Sequence, residues 1–126
     1  MKRIFFIHGL ESNNKSSKVD WMQSKGFDVL APSMDYITND ILFSQTLEKV
    51  LEFKPHLIVG SSMGGYFAHH IGTHYPSTLL LLNPALISRS FEPKIVPDGA
   101  EKSEVWALLG EQDELISPIE NFKILQ

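Results

Sequence analysis

Ile4-Phe5-Phe6-Ile7 is an unbroken apolar run. Such a run fits a strand covered on both faces, where the usual alternation of apolar and polar positions disappears. His8-Gly9-Leu10 ends it, and a polar loop from Glu11 to Ser16 follows. Ser17-Lys18-Val19-Asp20 has the form of a capping box with Asp in the place of Glu, and it predicts a short helix that Lys25-Gly26 closes. Phe27 to Ala31 predicts a second strand, stopped by Pro32. Asn39 or Asp40 can cap the next helix, in which Phe43, Leu47, Val50 and Leu51 recur at helical spacing until Pro55. His56 to Gly60 reads as a third strand. Phe67, Ala68, Ile71 and Tyr75 then mark the buried side of a helix that Pro76 stops. Thr78 to Leu82 is a fourth strand, ended by Asn83-Pro84-Ala85. Leu86 to Lys102 has no clear period and reads as an irregular excursion with room for one helical turn. Val105 to Leu109 is a fifth strand, ended by Gly110. Pro118 suits the first position of a last helix, Ile119 to Leu125.

Strands that alternate with helices predict an α/β fold, a parallel sheet joined by right-handed crossovers. In such sheets chemistry gathers at the carboxyl ends of the strands. His8-Gly9, Ser62, Asn83 and Asp113 all fall at such ends. The length of 126 residues predicts one domain spanning the chain.

Composition narrows the function. The net charge is −4 and the basic residues form no stripe, which argues against nucleic-acid binding. There is no cysteine, so neither a disulfide framework nor a thiolate metal site is available. No apolar run reaches the length of a membrane span. The basic start Met1-Lys2-Arg3 precedes an apolar stretch too short for a signal peptide, and a cytoplasmic location is expected. His70 and His74 have the spacing of a helical metal pair, but no adjacent Glu or downstream ligand completes a set. An exposed polar face is the expected role, with no metal and no cofactor. Trp21 and Trp106 are expected in packing roles.

The chemistry-bearing stretch is Leu57-Ile58-Val59-Gly60-Ser61-Ser62-Met63-Gly64-Gly65. A strand runs into Gly-x-Ser-x-Gly and a helix follows, the order a nucleophile elbow needs. Only Ser62 fits the frame, with Gly60 two places before it and Gly64 two places after. Small neighbours let strand and helix crowd together at the turn, and the helix start directs N–H groups at negative charge forming beside the hydroxyl.

Taken together, Ile7-His8-Gly9-Leu10, Gly60 to Gly65, Leu82-Asn83-Pro84-Ala85 and Gly110-Glu111-Gln112-Asp113 resemble the α/β-hydrolase superfamily, and within it the small bacterial YqiA-type esterases. The resemblance implies a three-layer α/β/α core with a five-stranded parallel sheet in the local order 2-1-3-4-5, Ser62 at its centre. It implies Ser62 as nucleophile, Asp113 as triad acid, and the backbone N–H groups of Leu10 and Met63 as the oxyanion hole. The expected activity is serine-type hydrolysis of a small-molecule carboxylic ester or thioester through an acyl-enzyme on Ser62, without cofactor.

A serine nucleophile needs a base, and in this superfamily the histidine follows the acid in the chain. His8, His56, His69, His70 and His74 all precede Asp113, so the base is not in its expected position. The chain stops at Gln126 inside an amphipathic pattern without a cap, which predicts a core lacking its C-terminal part. A second reading therefore stands beside the first: a catalytically incomplete homologue that keeps the fold as a binding or interaction module.

Overall fold

The structure is a computed structural model, and it describes residues 2–111 and 114–115. The described elements run β1 (Arg3–Ile7), α1 (Ser17–Ser24), β2 (Asp28–Leu30), α2 (Leu42–Phe53), β3 (Leu57–Ser61), α3 (Met63–Ile71), β4 (Thr78–Leu82) and β5 (Glu104–Leu108). The five strands form one all-parallel sheet in the order β2-β1-β3-β4-β5, as the resemblance implies. Two further short strands, β6 (Gly110–Glu111) and β7 (Glu114–Leu115), pair antiparallel, which the sequence did not lead us to expect. The last predicted helix, Ile119 to Leu125, lies outside the described residues.

Neighbouring residues on β1 belong to opposite layers, as strand geometry requires. Ile4 and Phe6 join Val59 of β3 beneath Val19 and Met22 of α1. Phe5, Ile7 and Ile58 face the other way and join the larger core with α2 and α3. That core is rich in aromatic edges: Phe67 meets Tyr36 at 5.0 Å and Phe43 at 5.3 Å between ring centroids, both T-shaped. The chain between β4 and β5 lies on this same side, where Leu86, Phe91, Ile95 and Val96 pack against the core. It contains bends but neither helix nor strand, so the helical turn allowed for there does not form. Pro84, Pro93 and Pro97 fall in it and remove the donors a helix would use. The α1 side is covered less evenly. An apolar groove of about 630 Å³ remains there, bordered by Trp21, Met22, Leu57, Leu80 and Leu82.

Several boundaries differ from the sequence reading. Ser16, not Ser17, caps α1, its hydroxyl accepting the Lys18 N–H at 2.9 Å. Ile41 precedes α2 with no side-chain cap; Asn39 sits two residues earlier and accepts the Ile41 N–H. At the other end of α2, Arg3 donates to the Phe53 and Lys54 carbonyls, satisfying acceptors left open by the helix. α3 ends at Ile71 rather than running on to Tyr75. The Ser103 hydroxyl donates to the Gly72 carbonyl at 2.8 Å, fixing the chain as it leaves the helix. Trp21 is 60% exposed and packs in no core, while Trp106 is half-buried with its indole N–H donated to Glu104.

His70 and His74 do not form an open polar face. Both are half-buried, and Nδ1 of His70 lies 2.7 Å from an Asp98 carboxylate oxygen. This bond ties the β4–β5 connection to α3, next to the Gly99 and Glu101 N–H groups that donate to Thr73. The bond from His70 holds the Asp98 carboxyl below its usual range, while burial lowers His69. Both shifts have the same sign for stability. Asp98 loses its contribution as pH falls through its lowered folded value, and the unfolded chain takes up a proton on His69 sooner than the folded one does. The contact therefore weakens in acid. Asp98 is exposed, so its pair contributes less than about 1 kcal/mol. The Asp98→Ala variant should speed amide exchange at Gly99 and Glu101 and leave Ala68, in the middle of α3, unchanged. Unaltered exchange at both connection residues would refute the tether.

Candidate active site

The carboxyl ends of β1 and β3 lie side by side, with Ile7 in register with Gly60. Ser62 follows β3 directly and precedes the first residue of α3. Its backbone has φ 55 and ψ −115, a conformation that L residues avoid and that a sharp strand-to-helix turn requires. Four hydrogen bonds hold it there. The Ser62 N–H donates to Leu82, and the Ser62 carbonyl accepts from Gly65, Tyr66 and Ala85. The side chain is exposed at the floor of a cleft of about 570 Å³, lined by Gly9, Leu10, Glu11, Ser12, Ser61 and Ser90 beside it.

The close packing that the Gly-x-Ser-x-Gly pattern predicts is present at both glycines. A Cβ on Gly60 would lie 2.3 Å from the Gly64 carbonyl oxygen, and one on Gly64 would lie 2.0 Å from that of Ile7. The start of α3 is thereby seated on the ends of both central strands. Gly9 brings the other loop close, since a Cβ there would sit 3.2 Å from the Ser62 Cβ. Leu10 is half-buried against the core and borders the cleft, whereas the Met63 side chain is fully buried. Among the described residues, no acceptor takes the backbone N–H of either Leu10 or Met63.

His8 serves the loop and not the cleft. It is 3% exposed. Its Nε2 accepts the Met34 N–H at 2.9 Å, and its Nδ1 lies 2.7 Å from the Gly9 carbonyl oxygen. The proton accordingly belongs on Nδ1, and both ring nitrogens are engaged. The Tyr36 hydroxyl donates to the His8 carbonyl at 2.5 Å. Burial raises the Tyr36 phenol well above its ordinary value, so it remains a donor through mildly alkaline pH. Replacing Tyr36 with Phe should keep the ring on Phe67 and remove that donor, costing about 1–2 kcal/mol in urea unfolding. An unchanged midpoint would mean that the bond contributes nothing to holding the loop.

His56 is at the opposite end of the sheet, its backbone N–H donated to Arg3 and its Nδ1 accepting in return. His69, His70 and His74 stand on or just beyond α3, at least about 10 Å along the helix from Ser62. No described histidine is thus placed to take a proton from Ser62. Asp113 lies outside the described residues, between β6 and β7. Ser12, Ser61 and Ser90 were not singled out from the sequence. Ser90 arrives from the patternless β4–β5 connection, so no local signal marks it. No described group of three His, Cys, Asp or Glu residues is arranged to hold a metal ion. No helix among the described residues is long and apolar enough to cross a membrane.

A search of curated proteins returned no match. A family model does match, over residues 3–114, which takes in every strand of the sheet, Ser62 and the loop at Gly9. The chain therefore belongs to the family described as Uncharacterised protein family (UPF0227).

Proposed function

We propose that this chain carries the nucleophile of a serine-type hydrolase acting on carboxylic esters or thioesters, as the YqiA-type esterases that it resembles would suggest. The observation that carries the proposal is the state of Ser62: exposed in a cleft, held at positive φ, at the head of a helix whose first N–H is unpaired. In this reading the Ser62 Oγ attacks the acyl carbon and its proton passes to a base. The Met63 N–H, and the Leu10 N–H from the facing loop, receive the oxygen that becomes negative. Fixed donors of this kind each contribute about 3 kcal/mol or more to acyl transfer. Collapse of the tetrahedral species expels the alcohol or thiol and leaves the acyl group on Ser62, which water then removes. Asp113 is assigned as the acid that orients the base. The base itself is not among the described histidines.

Labelling by a fluorophosphonate probe tests the reading. The protein should be modified at Ser62, and Ser62→Ala should remove the modification. Failure of the folded protein to react would leave the fold as a binding or interaction module.

A further inference from the structure

Beside the Ser62 cleft lies a second cavity of about 310 Å³. Ser12 and Ser61 border both spaces, so the second cavity adjoins the cleft that holds Ser62. Its remaining walls include Asn13, Lys15, Ser17 and Lys18. The cavity wall carries two ammonium groups and several hydroxyls, and no carboxylate. Lys15 and Lys18 have no carboxylate partner among the described residues. The Ser17 and Ser61 hydroxyls have no protein partner there either. Asn13 spends its side-chain oxygen on the Lys15 N–H, at 2.8 Å, which leaves its amide nitrogen free to donate. Two exposed cations therefore border one cavity in a chain whose net charge is −4. The nearest acidic side chain of this loop, Glu11, borders the Ser62 cleft instead. An anionic substrate would be repelled on that side and drawn to the lysine side.

We propose that this cavity is a subsite for an anionic group, a carboxylate or a phosphate, carried by the ester or thioester that Ser62 attacks, and that Lys15 and Lys18 set this preference. The assignment rests on the acyl-transfer reading of Ser62. Ammonium groups recognise either anion as point charges with three donors each, and the Ser61 hydroxyl adds a donor next to the reacting centre. The lysines touch the remote end of the substrate and take no part in bond making.

Binding and reactivity can be read separately. The Ser62→Ala protein would be titrated with succinate and, in a parallel arm, with inorganic phosphate, following the backbone amide resonances of Ser17 and Lys18. At least one anion should shift both resonances, and the arm that responds more strongly identifies the group. The double variant Lys15→Met, Lys18→Met keeps the aliphatic stems at exposed positions and should weaken that binding roughly tenfold. With Ser62 in place, the same double replacement should lower kcat/KM for 4-nitrophenyl hemisuccinate relative to 4-nitrophenyl butyrate by a similar factor if succinate is the anion bound. Fluorophosphonate labelling by a neutral probe should be unchanged. Absence of binding by both anions, or equal affinity in the lysine variant, overturns the subsite, while intact labelling keeps the Ser62 reading. Anion binding without any labelling of the unmodified protein has the opposite meaning: the site for the anion stands and the hydrolase reading falls.

Discussion

Gly64→Ala should destabilise the fold by about 4 kcal/mol or more, beyond the ~1–3 kcal/mol of ordinary overpacking. The added methyl would lie 2.0 Å from the Ile7 carbonyl oxygen, 2.6 Å from its carbon and 2.8 Å from the His8 oxygen. All three are backbone atoms, so no rotamer change relieves the clash. Moving β1 would disturb its pairing with β3, where Ile7 is opposite Gly60, and moving α3 would pull Ser62 from its four hydrogen bonds. Domains of this kind hold only about 5–15 kcal/mol in total. Gly26→Ala gives the comparison. Gly26 has φ +92 with nothing within 4 Å of an added Cβ, so its cost is conformational alone, about 1–2 kcal/mol. Equal shifts of the two variants in urea unfolding would mean that the contact between α3 and β1 is looser than described.

Ser62→Ala should abolish covalent labelling by a fluorophosphonate while leaving the fold intact. Alanine carries the same Cβ, so it inherits the same backbone conformation and the same neighbours. Loss of reaction then reports the hydroxyl and not the turn. The sharper comparison is Ser61→Ala. Ser61 is adjacent in sequence and borders the same cleft, but it ends β3 in extended conformation and is partly covered. Retained labelling in Ser61→Ala, together with its loss in Ser62→Ala, would tie reactivity to the serine at positive φ. In other serine hydrolases removing the nucleophile lowers turnover by roughly a million-fold, so the two variants should be far apart. Labelling that survives Ser62→Ala would refute the assignment of the nucleophile.

The reading of the strands succeeded where burial erases alternation. Ile4 to Ile7 is a continuous apolar run because layers press on both sides of β1, whereas β4 keeps Leu79 and Leu81 buried while Leu80 and Leu82 are half-buried beside the α1 groove. The order of the sheet was another matter, since no run of residues says which strand lies beside which; it came from the resemblance. Ser62 was legible because an elbow is local: strand, small residues, serine and helix lie within nine consecutive positions, Leu57 to Gly65. Leu10 became a candidate only through the resemblance, because a free backbone N–H leaves no mark in side-chain chemistry. The remaining differences involve distant partners. α3 stops early, where Ser103 reaches back to Gly72, and His70 lost its open face to Asp98. Ser90 meets the cleft through a connection held by Arg89, whose guanidinium stacks 4.0 Å above the Tyr66 ring and donates to the Ala85 and Leu86 carbonyls. The contacts of Ser103 with Gly72, His70 with Asp98 and Arg89 with Tyr66 join residues more than twenty positions apart, which no local pattern can reveal.

The position of β1 inside the sheet has a consequence for the order in which the molecule assembles. β1 is translated before the other described strands, and its two edges are closed by strands made at different times. β2 closes one edge through Asp28 to Leu30, whereas the other waits for β3, whose Leu57 pairs with Ile4 about fifty residues later. A nascent chain would thus carry the strongly apolar Ile4–Ile7 strand with one unpaired edge until β3 has been synthesised. Bare apolar edges invite pairing with other chains. Ser62 emerges immediately after β3, so the same stretch that completes the pairing of β1 also forms the elbow. The second edge of β1 and the serine turn are thus made together, while the bonds from Ser62 to Leu82 and Ala85 and the cleft wall at Ser90 wait for β4 and the chain beyond it.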